Sequence, residues 1–197
     1  MSVVGRIGEL AAAAGSVAGL RGFTEQPRFR PLARIGPVQV RHYGARIAAE
    51  VSLPGEETAA RGRGFRLLAG YIFGANRGRR HIAMTAPVSQ MREPGETAAW
   101  RIRFFMPAQA VRESLPQPDD PAVRIVTVPA QTLAVLRFAG VPRPAAVAAA
   151  RQALLAALAS SAWAPAGEPV AWFYDPPWTI PRLRRNEVAV PVERRGT

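Results

Sequence analysis

His42 and His81 are the only two imidazoles in the chain. They lie in Arg41-His42-Tyr43-Gly44 and behind Arg77-Gly78-Arg79-Arg80. An imidazole can carry a proton near neutral pH or ligate a metal. No set of carboxylates at metal-ligand spacing accompanies either one, so a zinc site is not expected. The chain has no cysteine, which removes thiolate nucleophiles, thiolate metal sites, disulfides and covalent haem attachment through Cys-x-x-Cys-His. All 26 basic residues are arginine, so a Schiff-base lysine and a phosphate-loop lysine are also excluded. Gly62-Arg63-Gly64 lacks the third glycine of a dinucleotide loop, and no G-x-S-x-G elbow occurs. Asp119 and Asp120 sit in a proline-bounded turn. Glu50 and Glu187 are the candidate general bases, and strand parity turns Glu50 towards solvent. No catalytic constellation emerges, and an enzyme is not expected.

The 26 arginines outnumber 14 acidic residues, for a net charge of +12 over 197 residues. They are spread along the chain in short clusters, with no nucleic-acid motif and no interleaved aromatic stripe, so nucleic acid is not an expected partner. Most arginines are expected on solvated faces, while clusters such as Arg77–Arg80 and Arg182–Arg185 could still neutralise carboxylates on one small ligand. At 48% hydrophobic residues the chain can build a core, and no apolar run is long enough to span a membrane.

The elements that must position these groups come as a duplication. Residues 38–55 (VQVRHYGARIAAEVSLPG) align with residues 123–140 (VRIVTVPAQTLAVLRFAG) at a constant offset, and both end on a glycine. Each copy reads as two strands and a tight reversal, followed by a helix. In the first helix Phe65, Leu68, Ala69 and Ile72 recur at helical spacing, and Gly74 is a stop. In the second, Pro144 suits the first turn while Val147, Leu154 and Leu158 line one face. The stretches 81–88 (HIAMTAPV) and 187–192 (EVAVPV) read as matching strands. Trp100, Ile102, Phe104 and Met106 mark another, and Val170, Trp172 and Tyr174 one more. This predicts an α+β fold: duplicated strand-strand-helix-strand halves forming a distorted antiparallel β-barrel of about eight strands flanked by two helices. A concave apolar site is expected between the helices and the sheet. Residues 1–36 read as an arm and connector, with Pro27 and Pro31 in the connector, and residues 193–197 as a tail.

Five stretches carry a resemblance: RHYG at 41–44, LAGYIFGANRGRRHIAMTAPV at 68–88, FFMP at 104–107, ESLPQPDDPAV at 113–123, and PPWTIPRLRRNEVAVPV at 176–192. Together the chain resembles the SOUL haem-binding proteins from about residue 37 to 192. The resemblance implies the duplicated barrel and non-covalent, b-type binding of haem or a related tetrapyrrole, for buffering, transport or sensing. It places Leu68, Tyr71, Ile72, Asn76, Arg79, Arg80 and Met84 at the pocket, with Trp178 as a lid. It makes His42 the candidate axial iron ligand and Arg79 and Arg80 partners for the ligand's carboxylates. The architecture is also similar to the effector-binding domains of multidrug-responsive regulators, so a pocket for other hydrophobic compounds without iron is the alternative. A cofactor-free hydrolase or isomerase is a lesser one. The Ala-rich N-terminus with Arg6 reads as a surface helix or loose arm, consistent with a cytoplasmic protein, and as a weak export signal in the alternative.

Overall fold

The computed structural model describes residues 24–95 and 99–196. The reading of the Ala-rich N-terminus falls on residues outside these. Ten strands join one curled antiparallel sheet: β1 (Phe29–Ile35), β2 (Val38–Tyr43), β3 (Arg46–Pro54), β4 (Val88–Arg92), β5 (Ala99–Phe105), β6 (Arg124–Val128), β7 (Gln131–Ala139), β8 (Trp163–Pro165), β9 (Val170–Phe173) and β10 (Arg185–Arg194). Two helices, α1 (Glu57–Ile72) and α2 (Pro144–Ala159), pack on its convex face. The strand order is β1-β2-β7-β10-β9-β4-β5-β3-β6, with β8 beside β10.

That order records the duplication. Exchanging β2 with β6, β3 with β7, β4 with β9 and β5 with β10 reverses the path from β2 to β6 onto itself. A pseudo-twofold axis therefore passes between the central strands β9 and β4. Gly55 and Gly140, the aligned glycines, both turn the chain at positive φ (110° and 100°), where a side chain is strained. Glu56 then caps α1 by accepting from the backbone N–H groups of Thr58 and Ala59, whereas α2 starts on Pro144, whose missing N–H costs nothing there.

Three expectations are corrected. Residues 29–35 are not a connector but edge strand β1, paired with β2 through a register shift between Pro31 and Ala33. An edge tolerates proline because no neighbour needs its missing N–H. Residues 81–87 form no strand, and residues 187–192 fall instead within β10, the counterpart of β5. The strand count rises from eight to ten through β1 and the short β8.

Each helix buries its own apolar cluster against one half of the sheet. Val147, Leu154 and Leu158 of α2 meet Val38, Val40, Val188 and Val190. Leu68, Tyr71 and Ile72 of α1 meet Ala49, Val51, Ile102 and Phe104. Phe65, expected in the core, lies on the flank of α1 at 42% exposure, with its ring edge-on to Phe104 at 5.3 Å. Gly64 makes the close approach possible, because a Cβ there would sit 2.9–3.2 Å from three side-chain atoms of the fully buried Ile102. Glycine inside a helix normally costs about 1 kcal/mol relative to alanine. Here the sign reverses: Gly64→Ala is expected to destabilise the fold by about 1–3 kcal/mol through overpacking, read as a lower urea midpoint at unchanged slope.

Candidate functional site

Both helices pack on the convex face through their own apolar clusters. The cleft lies on the other face, inside the curl, and it is built from charged and aromatic residues. Strand parity sends Arg41 and Tyr43 of β2, Leu133 and Val135 of β7, Trp172 of β9 and Glu187 of β10 to this concave side. Their strand neighbours Val40, Ala134, Ala171 and Val188 go to the helix side.

Glu187 is fully buried and its carboxylate receives five hydrogen bonds. Arg41 donates to both oxygens at 2.9 and 3.2 Å, Arg185 donates to Oε1 at 2.8 and 3.1 Å, and the Tyr174 hydroxyl donates to Oε2 at 2.7 Å. Burial alone would push this carboxyl up, but the Arg41 and Arg185 charges and the donated hydrogen bonds outweigh it and hold it below the ordinary carboxylate range. Burial raises the Tyr174 phenol well above its ordinary value, and the adjacent Glu187 carboxylate adds to the shift.

Glu50 does not face solvent as its parity suggested. It is 5% exposed and bonded by Arg103 Nε at 2.7 Å and Arg124 Nη2 at 3.1 Å, with Arg101 at 3.9 Å. The face opposite the helices is the inside of a curled sheet, so facing away from α1 is not facing water. Two buried carboxylates whose oxygens are already engaged by arginine donors make poor general bases.

Between these two clusters lies Arg46, whose three guanidinium nitrogens are buried and make no hydrogen bond. It is stacked on the rings of Tyr43 and Phe105, at 4.6 and 4.9 Å from their centroids. Burial lowers its pKa to about 10. The indole Nε1–H of Trp172, edge-on to Tyr43, is also buried without an acceptor. Two small hollows meet here, both bordered by Phe105 and Trp172, with cavity volumes of about 10 and 60 Å³. No sequence motif marks Arg46 or Trp172; their importance comes only from the curl that brings β3, β5 and β9 to one surface.

The residues expected around a tetrapyrrole are distributed differently. Leu68, Tyr71 and Ile72 are core, with Tyr71 donating to the Pro116 carbonyl at 3.0 Å. The Asn76 amide is consumed by the loop after α1, donating to the Tyr71 and Arg80 carbonyls and accepting from Arg80 N–H. It thereby fixes the exposed loop of Arg79 and Arg80, where Arg80 donates to the Ser114 carbonyl at 2.8 Å. Met84 is half-buried in the α1 cluster. His81 is exposed beside the exposed Phe73, at 6.3 Å between rings. Trp178 is 62% exposed in the loop between β9 and β10.

His42 belongs to the other half. It shares the helix-facing parity of Val38 and Val40, is half-buried, and pairs through Nδ1 with the Thr132 hydroxyl at 3.2 Å. From β2 to β5, on which α1 packs, is five strand spacings, about 24 Å along the sheet at ~4.8 Å each. His42 and the Arg79–Arg80 loop therefore belong to different halves of the sheet. Among the described residues no group of three or more His, Asp or Glu is placed to hold a metal ion, and no helix is long and apolar enough to cross a membrane.

The Glu187 cluster generates a test. Because its folded-state pKa is depressed, ionised Glu187 contributes stability above the unfolded carboxylate value of about 4.3, and the contribution is lost as pH falls through the lower folded value. Glu187→Gln leaves Arg41 buried without its anion and is expected to cost about 3–5 kcal/mol at neutral pH. Urea denaturation is also expected to show a shallower acid-side loss of stability in the variant than in the parent.

Comparison with known proteins agrees with this architecture. Among solved structures, the C-terminal domain of EcmrR superposes with a TM-score of 0.59 at 14% identity, covering 80% of this chain and 97% of that one. EcmrR in a DNA complex gives 0.62 at 13% identity, and there the match covers 80% of this chain but only 57% of the other. A protein from Listeria innocua described as a hydrolase gives 0.55 at 12% identity, over 82% of this chain and 94% of that one. At such identities these likenesses concern the fold alone. No curated protein matches the sequence. The family model for the SOUL heme-binding protein matches residues 24–191, and by that match, together with the duplicated curled sheet and its two helices, the chain belongs to the SOUL family.

Proposed function

We propose that the protein binds haem or a related tetrapyrrole non-covalently, with His42 as the residue that holds the iron. The family match over residues 24–191 carries the reading. The absence of cysteine accords with non-covalent attachment. Haem iron supplies an axial position that an imidazole nitrogen can fill. The chemistry of His42 fits that position: Nδ1 is anchored on Thr132, and Nε2 makes no hydrogen bond among the described residues. Anchoring one ring nitrogen is how proteins orient a histidine that ligates through the other. The concave hollows do not fit the group, because about 10 and 60 Å³ fall far below the roughly 300–1,000 Å³ of pockets for drug-sized molecules. The reading therefore rests on His42 itself, on the helix-facing side of β2 between β1 and β7.

A haemin titration followed by absorption spectroscopy tests this on the parent, His42→Ala, and the double variant Arg79→Ala/Arg80→Ala. The expected result is a saturable Soret shift in the parent, an altered or lost band in His42→Ala, and parent behaviour in the arginine variant. The reverse pattern would move the ligand to the loop after α1. No saturable shift in any of the three would end the tetrapyrrole reading.

A further inference from the structure

We infer that the concave cleft is a second binding site, for a small planar carboxylate whose anionic head pairs with Arg46 and the indole N–H of Trp172. Three observations converge on it. First, Arg46 is a buried cation with three unused donor nitrogens, and Trp172 Nε1 is a fourth buried donor with no acceptor, on the same hollow. A buried charged donor left unpaired is costly, and a protein retains one where water or a ligand completes it. Second, the charge around the hollow is one-sided. Arg41 and Arg185 are spent on Glu187, whose oxygens are already taken by five donors, Arg46 meets no carboxylate, and the adjoining hollow is bordered by Arg101 and Arg103 against Glu168. The ionisable groups bearing most on Arg46 are Tyr43, Arg103 and Tyr174, none of them a carboxylate. Third, the walls are aromatic. Phe29, Tyr43, Phe105, Trp172 and Tyr174 surround the hollow, and the Tyr43 and Tyr174 hydroxyls are occupied by Arg41 and Glu187. One face of Phe29, Tyr43, Phe105 and Tyr174 already carries a guanidinium, so it is the Trp172 ring and the remaining edges that bound a flat apolar body.

Size sets the class. A cavity of about 10 Å³ holds about one water, or the carboxylate oxygen that replaces it. We assign the ring of the ligand to the adjoining hollow of about 60 Å³, which shares Phe105 and Trp172 as its border and must widen at these side chains to admit it. The site therefore selects for negative charge and against a hydrophobic cation, and it stands independently of the tetrapyrrole reading, which concerns the opposite face of the sheet.

Calorimetric titration of the full chain with benzoate, benzamide and benzylammonium tests it, because the three share a ring and differ in charge. Benzoate is expected to bind saturably and at least tenfold more tightly than benzamide, with no binding of benzylammonium. Arg46→Gln should weaken benzoate at least tenfold, and a thermal midpoint measured alongside separates that loss from the effect of the two cation–π contacts with Tyr43 and Phe105 that the substitution also removes. Trp172→Phe keeps a ring, removes the N–H, and should weaken benzoate about fivefold. Equal binding of benzoate and benzamide, binding unaffected by both substitutions, or no binding of benzoate at all (a hollow that holds water only) would each overturn the inference. Should Arg46→Gln fail to fold, the charge series on the parent and Trp172→Phe decide the matter.

Discussion

The carboxylate of Glu187 is the constraint on which the concave face depends. It ties β10 to β2, whose Arg41 lies 146 positions away in the chain, and it fixes Arg185 and Tyr174 around the same two oxygens. Taking these charges out of water is expensive, and the cost is recovered only because every acceptor position on the carboxylate is filled. Arg41 in turn sets Gln39 at 2.8 and 3.0 Å and lies over the ring of Phe29, which brings edge strand β1 to the cleft mouth. Arg185 reaches Gln26 at 3.1 Å and holds the segment before β1 across the opening. Remove the one anion and the wall around Arg46 loses its shape.

Symmetry explains where that wall stands. The duplication gives each half a helix, an apolar cluster and a concave surface, and each concave surface carries one arginine-wrapped carboxylate, Glu187 in one half and Glu50 in the other. The two are not equivalent positions. Glu50 is on β3 and aligns with Val135 of β7, so the halves arrived at the same solution with different residues. The apolar seams, by contrast, repeat position by position. Packing against a helix restricts a site to a few shapes, whereas a carboxylate inside a curl can be served from several neighbouring strands.

The same difference decides what was legible in the sequence. The aligned glycines, the first-turn proline of α2 and the period-two alternation of β2, β5 and β7 report local backbone geometry, which neighbouring residues specify. The apolar spacing of α1 and α2 reports which face is covered. Edge strand β1 was hidden because Pro27 and Pro31 look like connector chemistry, and only position in the sheet makes proline harmless. Residues 81–87 mimic a strand because their small and apolar residues serve irregular packing over α1. Glu50 looked solvated because alternation identifies two faces without saying that the second is also enclosed. Arg46 and Trp172 carry no local signature, since their unmet donors exist only relative to strands far away in sequence.

The stretches by which the family is recognised turn out to be largely structural. In Arg185-Asn186-Glu187-Val188, Asn186 donates to the Gly140 carbonyl at the pseudo-symmetric turn, Arg185 and Glu187 form the cleft cluster, and Val188 is core. In the first half Asn76 closes the loop after α1, and Tyr71 bonds the Pro116 carbonyl. Every one of these polar groups already has its partner. Matching such stretches therefore identifies a frame, and the two proposed sites start instead from polar groups outside it: the outer nitrogen of His42 on one face of the sheet, and Arg46 with Trp172, two of the buried groups without a partner, on the other. A cationic guest would leave the second pair as it is, and a neutral acceptor would satisfy the donors without neutralising the Arg46 charge, so in the site we infer the unfinished bonding favours an anion.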